Sequence, residues 1–212
     1  MSEKGVLVVV SGFSGSGKGT VVKELMNRYS NDYRLSISAT TRKPRVGEEH
    51  GREYFFLTNE QFESMIENNE LIEHAKYVSN YYGTPKKYVE EQLEKGYNVI
   101  LEIEIQGALK VKEQFSDACM IFLTPPRFDI LRQRLIGRQT EDMDTINKRL
   151  DRAVQEADYM SDYDYVVIND SVDECVDEIN NIIMKEKKKV SFIKDYVMKF
   201  KNDYNKIKKG EC

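Results

Sequence analysis

Short runs of branched apolar residues alternate with segments in which apolar residues recur every three or four positions. Lys4 to Val10 ends in five apolar residues, four of them Val, and Ser-Gly follows at once. A β-branched run closed by turn residues predicts a buried strand. From Thr20 to Tyr29 the period changes, and Val21, Val22, Leu25, Met26 and Tyr29 fall on one helical face. Ser36 to Ser38 predicts a short strand entering a polar loop, Thr40 to Gly51, that holds Pro44 and Gly47. Glu53 to Leu57 is aromatic and strand-like, and Asn59 to Asn68 is helical with Phe62, Met65 and Ile66 on one side, leaving Glu73 just past that helix end. Tyr77 to Pro85 is a turn-rich, tyrosine-rich passage before a helix from Lys86 to Lys95, which Gly96 stops.

Beyond Gly96 the alternation becomes regular. Val99 to Ile105 predicts a strand, Gly107 to Phe115 a helix, and Cys119 to Leu123 a strand halted by Thr124-Pro125-Pro126. Asp129 to Ile136 and Asp144 to Tyr159 are charged amphipathic helices; Val166 to Ile168 is the last core strand and Val172 to Met184 the helix after it. Apolar strands alternating with helices predict an α/β fold with a mostly parallel sheet and helices on both faces. The segment from about residue 36 to 88 breaks the alternation and is expected to be an inserted subdomain.

Composition narrows the picture. The 212 residues are 40% hydrophobic and 32% charged, with 12 Gly, 4 Pro and no Trp, which suits one elaborated globular domain and excludes collagen-like or broadly disordered chains. No apolar run approaches the roughly 20 residues a bilayer span needs, and the first residues lack the pattern of a signal peptide. Cys119, Cys175 and Cys212 stand far apart and odd in number, so a reducing, cytoplasmic setting is expected rather than a disulfide framework. The net charge of −4 hides an asymmetry: Lys185 to Cys212 holds ten Lys against four acids, net +6, which leaves −10 on residues 1–184. The body is therefore not expected to bind nucleic acid. With only His50 and His74, a zinc site of three histidines cannot be made.

The sharpest chemical signal is Gly12-Phe13-Ser14-Gly15-Ser16-Gly17-Lys18-Gly19-Thr20, directly after the first strand and opening the first helix. The Gly-x4-Gly-Lys spacing is that of a phosphate-binding loop. Glycines let backbone N–H groups converge on phosphate oxygens, the helix N-terminus adds partial positive charge, and Lys18 carries a full one. Gly19 stands where a hydroxyl usually follows the Lys, so magnesium must be helped by water or by Thr20. A dinucleotide fingerprint fails on spacing, because its third Gly would fall at position 20. Alone, the loop says nucleoside triphosphate and not which reaction.

Ser36-Ile-Ser-Ala-Thr-Thr-Arg-Lys-Pro-Arg45, followed by Gly47-Glu48, Gly51 and Tyr54, resembles the signature of guanylate kinases. So do Asn69-Glu-Leu-Ile-Glu73, Asn80-Tyr-Tyr-Gly-Thr84, Glu102-Ile-Glu-Ile-Gln-Gly107, Gly137-Arg138 and Ile168-Asn-Asp170, in the same order, over about residues 6–184. The resemblance implies a P-loop kinase domain over residues 4–188, with a core of 4–34, 89–127 and 160–188, a GMP-binding insert at 35–88 and a helical lid at 128–159. Residues 189–212 remain as a basic amphipathic tail.

The implied reaction is transfer of the γ-phosphoryl group of MgATP to GMP or dGMP, with Mg2+ as cofactor. By resemblance Arg42, Arg45, Tyr54 and Tyr82 hold the GMP phosphate, which suits the guanidinium fork. Glu73 takes the N1–H and N2 amino donors of guanine, and Ser38 and Thr84 give to O6. Adenine would face that carboxylate with a ring acceptor, a mismatch that discriminates strongly. Strand alternation puts Glu102 and Glu104 on one face; Glu102 is assigned to the GMP side and Glu104 to a water-mediated magnesium contact. Arg134, Arg138 and Arg149 are the arginines that close over the triphosphate, Arg132 and Arg152 being read as an ordinary charged surface. Asn169 matches the adenine-contacting position.

Two other functions are weighed: a catalytically inactive guanylate-kinase-like module that binds proteins, and a P-loop kinase for another small phosphorylated acceptor. The intact Gly12 to Thr20 loop with all three lid arginines argues against the first, and Glu73 with Ser38 and Thr84 argues for guanine against the second. In the tail, Ile193, Tyr196, Val197, Phe200, Tyr204 and Ile207 recur at helical spacing among Lys residues. Such a helix suits a membrane surface, RNA or a partner, but packing on its own domain or on a second subunit is the plainer expectation, and a homodimer is kept open.

Overall fold

The computed structural model describes residues 4–77, 79–138, 142–189 and 194–209. Ile193 and Cys212, singled out above, lie outside these residues. In chain order the elements are β1 (Leu7–Gly12), α1 (Lys18–Arg28), β2 (Tyr33–Leu35), β3 (Ala39–Thr40), β4 (Phe55–Phe56), α2 (Asn59–Glu67), β5 (Leu71–Tyr77) and β6 (Asn80–Pro85). There follow α3 (Lys86–Glu94), β7 (Asn98–Glu102), α4 (Ile105–Gln114), β8 (Cys119–Thr124), α5 (Phe128–Gly137) and α6 (Met143–Glu156). A 3-10 turn (Ala157–Asp162) leads to β9 (Tyr165–Ile168), α7 (Val172–Glu186) and α8 (Lys194–Lys209).

Alternation along β1 explains the central layer. Val8 and Val10 pack with Val21, Val22 and Leu25 of α1 and with Val176, Ile179 and Ile183 of α7. Leu7 and Val9 face the other way, against Val89 and Leu93 of α3 and Ala108 and Val111 of α4. Burying each of these valines contributes roughly 1.5–2 kcal/mol relative to exposing it. A strand buried on both faces needs parallel neighbours with helical crossovers. The sheet obeys, in the order β2-β7-β1-β8-β9, with every pairing parallel.

A second sheet, in the order β4-β3-β6-β5, is built between β2 and α3. Its long pair, β5 with β6, is antiparallel, as is β6 with β3, whereas β3 and β4 run parallel. α2 closes it, entered through a reciprocal cap in which Thr58 Oγ1 accepts from the Gln61 backbone and Gln61 Oε1 from the Thr58 backbone. Phe62 of α2 is buried with Ala39 and Leu71.

Several boundaries differ from the sequence reading, and each has a local reason. Residues 36–38 are not a strand but the crossing between sheets: the Ser36 N–H donates to Ile100 O, while Ser38 O accepts from Phe55. Glu73 does not follow a helix end; it sits within β5. Of the tyrosine-rich passage, Tyr77 ends β5 and Asn80 to Pro85 form strand β6. Both strands are half polar, so tertiary pairing rather than an apolar run holds them. β7 ends at Glu102 and Glu104 is the N-cap of α4, so the strand alternation that put the two carboxylates on one face does not reach Glu104.

The described side chains of α8 are exposed throughout, with Tyr196, Phe200 and Ile207 each 66% accessible. The expectation that the tail packs on its own domain is therefore overturned for these residues. No helix among the described residues is long and apolar enough to cross a membrane.

Candidate active site

The end of β1, at the middle of the parallel sheet, delivers the chain into the phosphate-binding loop. Gly17 takes φ 94° as the cap of α1, and a Cβ there would lie 2.4 Å from Asn169 Nδ2, so only glycine fits. Asn169, 3% exposed after β9, donates from Nδ2 to Ser16 O at 2.8 Å. Arg134 on α5 donates to the same Ser16 carbonyl at 3.3 Å and to Asn169 O at 2.8 Å. Arg149 on α6 donates to Ser14 Oγ at 2.5 Å. Two arginines of the expected lid therefore already stand against the loop. Two polar atoms here are buried without a partner, Ser16 Oγ and Asn169 Oδ1. Such orphans are costly unless a ligand or water completes them.

Lys18 folds back on its own loop, its Nζ donating to Gly12 O at 2.6 Å and Phe13 O at 3.1 Å. Burial lowers its pKa, and the charges of Glu104, Glu102 and Glu156 oppose that shift. Arg138, at the end of α5, also acts on Lys18 through its charge. Glu102 lies 3.6 Å from the point where a Cβ of Gly19 would stand. Burial raises its pKa against the pull of Lys18. Glu104 is 72% exposed and pairs with Arg152 at 3.1 Å, and Arg152 also holds Glu156 at 2.6 Å. Sequence alone places Arg152 on an ordinary charged surface; its bridge from α6 to Glu104 follows from the fold. Thr20 is exposed in the first turn of α1.

The second sheet gathers another group. Arg42 Nη2 donates to both oxygens of Glu48 at 2.9 Å, and its guanidinium lies 5.4 Å from the Tyr54 ring centroid. Tyr54 meets Tyr82 edge to face at 6.2 Å. Glu48 also accepts from the Arg45 backbone N–H at 2.7 Å. That bond, with Arg42, holds its carboxyl below the usual range. The Arg45 side chain is exposed. Glu48 stands in the Gly47-Glu48 pair that carries part of the family resemblance, but no role follows for it from the sequence; its tie to Arg42 and Arg45 comes from the fold.

Glu73 is half-buried in β5 and accepts from Thr84 Oγ1 at 2.7 Å. Burial raises its pKa; the Thr84 bond and the charge of Lys110 oppose it. Ser38 precedes Ala39, which pairs with Gly83, so it stands across from Thr84 in the antiparallel register. The two groups meet at one segment: β7 ends in Glu102 beside Gly19, Glu104 caps α4, and Gly107 in that helix's first turn lies against Glu73, where a Cβ would be 3.2 Å from Oε2.

Among the described residues no group of three or more His, Cys, Asp or Glu side chains forms a metal cage. What stands near the loop is Glu102, Glu104 and the Thr20 hydroxyl, oxygen donors of the kind that meet magnesium through water while phosphates supply its other ligands.

The sequence model of the guanylate kinase family matches residues 4–186. A guanylate kinase of Caldanaerobacter subterraneus subsp. tengcongensis is 48% identical over 203 residues, spanning 96% of this chain and 98% of that relative. One of Clostridium tetani is 48% identical over 196 residues, 92% and 93% of the two chains. The crystal structure of a guanylate kinase from Anaplasma phagocytophilum, 34% identical, superposes with a TM-score of 0.68 over 90% of each chain.

Proposed function

This chain belongs to the guanylate kinase family, and on that premise we propose how its own residues carry phosphoryl transfer from ATP to GMP. The enzyme is an ATP:GMP phosphotransferase. The observation that carries guanine recognition is Glu73, a half-buried carboxylate with Oε1 already accepting a hydrogen bond from the Thr84 hydroxyl. An ionised carboxylate offers lone pairs to both donors on the guanine edge; Ser38 can donate to O6, and Thr84 can do so once its single hydroxyl proton turns from Glu73 to the base. Arg42, Arg45, Tyr54 and Tyr82 receive the GMP phosphate, with Glu102 on the same side.

The Gly12 to Thr20 loop receives the triphosphate of ATP. Ser16 Oγ and Asn169 Oδ1, buried without partners, gain them from a phosphate oxygen and from the adenine amino group. Lys18 must leave the Gly12 and Phe13 carbonyls to meet the β and γ oxygens. Arg134, Arg138 and Arg149 on the lid then surround the transferring group and exclude water. Since the acceptor oxygen of GMP is already anionic, no general base is needed, and positioning with positive charge does the catalysis. Magnesium, when bound, neutralises the β and γ oxygens. Glu104 and Thr20 would meet it through water.

In this reading residues 35–88 are the GMP-binding insert, 128–159 the lid and 189–212 a tail, in a cytoplasmic enzyme. The exposed apolar side of α8 suits contact with a second copy, which sedimentation would read as a dimer. The test of function is ADP formation from MgATP with GMP, AMP, UMP and CMP in turn. Turnover with GMP is expected. Lys18→Ala should lower it by about 10³-fold or more, and Glu73→Ala should raise KM for GMP by about tenfold or more. Turnover with AMP but not GMP would sink the guanine assignment.

A further inference from the structure

Lys110 is not among the residues proposed above to touch either nucleotide. It is one helical turn beyond Gly107 on α4, so the two share a face of that helix. Gly107 brings the helix backbone against Glu73, its absent Cβ leaving only 3.2 Å to Oε2. Lys110 Nζ donates to the carbonyl oxygen of His74, the next residue in β5, at 3.2 Å. A cavity of about 310 Å³ lies here, lined by Glu73, His74, Lys110, Ile72 and Glu113 among others. The ammonium is thus tied to the strand that carries Glu73, on the α4 side of it.

We propose that Lys110 is a positioning residue for guanine specificity: anchored on the His74 carbonyl, it keeps the Glu73 carboxylate ionised and ready to accept from guanine. This rests on the assignment of Glu73 to the guanine edge. The physical need is plain. A neutral carboxyl group keeps one carbonyl oxygen to accept with but carries a proton on the other, so it can no longer accept fully from both guanine donors. Burial pushes Glu73 toward that neutral form. The Thr84 hydroxyl from β6 and the Lys110 charge from α4 oppose it. Thr84 has a neutral side chain, so the full positive charge comes from Lys110. Because Lys110 is exposed, its effect is screened by salt and is moderate in size. Gly107 completes the device, since any side chain there would press on the carboxylate that Lys110 holds charged.

The sign follows. Removing the charge raises the Glu73 pKa, so GMP recognition is lost at a higher pH than in the parent. Steady-state kinetics of the full-length enzyme with varied GMP at saturating MgATP, from about pH 5.5 to about pH 8.5, would read it. GMP's own phosphate titration is common to every variant and drops out of the comparison; the His74 imidazole, whose pKa is lowered by burial and by the Lys110 charge, does not, so both profiles are taken in a His74→Gln background. For Lys110→Met, the acid limb of kcat/KM for GMP should move up. KM should rise roughly two- to fivefold near the acid end, converge with the parent near the alkaline end, and leave kcat at saturation unchanged. Lys110→Arg should restore the parent profile. A rise in KM that is equal at every pH, or no rise, overturns the proposal, the first by showing a merely structural contact. Glu73→Gln separates the premise: if it leaves KM for GMP unchanged, the guanine assignment itself fails. If it raises KM while Lys110→Met moves nothing, only the role of Lys110 fails.

Discussion

Asn169 shows how one side chain can serve structure and ligand at once. Its Nδ2 is committed to Ser16 O, its backbone carbonyl to Arg134, and its Oδ1 to nothing. Asn169→Ala removes a buried bond to the phosphate loop and leaves Ser16 O with Arg134 alone. A loss of about 1–2 kcal/mol in unfolding free energy is expected, together with a higher KM for ATP and no change in KM for GMP. Denaturant titration and initial rates check the two halves separately. Gly17→Ala is harsher: left-handed backbone and the 2.4 Å approach to Asn169 both oppose it, so binding of ATP should be lost before the fold is, as calorimetric titration against a melting curve would show.

At the level of elements, the loop between β3 and β4 is organised around a carboxylate. Glu48 ties Arg42 to the backbone of Arg45, presetting the loop that is proposed to grip the GMP phosphate. Glu48→Gln should raise KM for GMP severalfold with little change in kcat, and should hasten proteolysis within residues 42–52. The same tie has a pH signature. Because the Glu48 carboxyl is held below its ordinary value, its contribution is present above about pH 4.3, the unfolded carboxylate value, and fades as pH falls through the lower folded one. Amide chemical shifts of residues 42–48 should follow that titration in the parent and not in Glu48→Gln.

Which parts of this were legible in the sequence depended on what imposed them. The phosphate loop was legible because its chemistry dictates both glycine and spacing, and the parallel strands because burial on two faces demands apolar runs. Strands β5 and β6 were not. Residues such as Glu73, His74, Lys76 and Asn80 carry no apolar period, and only cross-strand pairing makes them strand. The bridge from Arg152 to Glu104 was equally hidden, since it joins residues 48 apart through a helix cap that alternation had placed in a strand.

On the scale of the whole molecule, α8 stands apart in character. The chain before it carries the negative charge and the cores, whereas α8 exposes every side chain described for it. Removing residues 190–212 should therefore change the unfolding free energy of the monomer, read at dilutions where sedimentation finds no dimer, by no more than about 0.5 kcal/mol and leave GMP turnover intact, as melting curves and rates on the shortened protein would show.

The position of β1 in the middle of the five parallel strands reaches beyond catalysis. Amides of a central strand exchange with solvent only when the whole domain opens, while a peripheral sheet opens in smaller, cheaper excursions. A ligand seated on the loop that β1 feeds should slow exchange across the entire parallel sheet, because it binds only the intact assembly. GMP, proposed to be gripped mainly by the second sheet, should slow exchange chiefly there. The two substrates would then leave different footprints on a deuterium map, one global and one local.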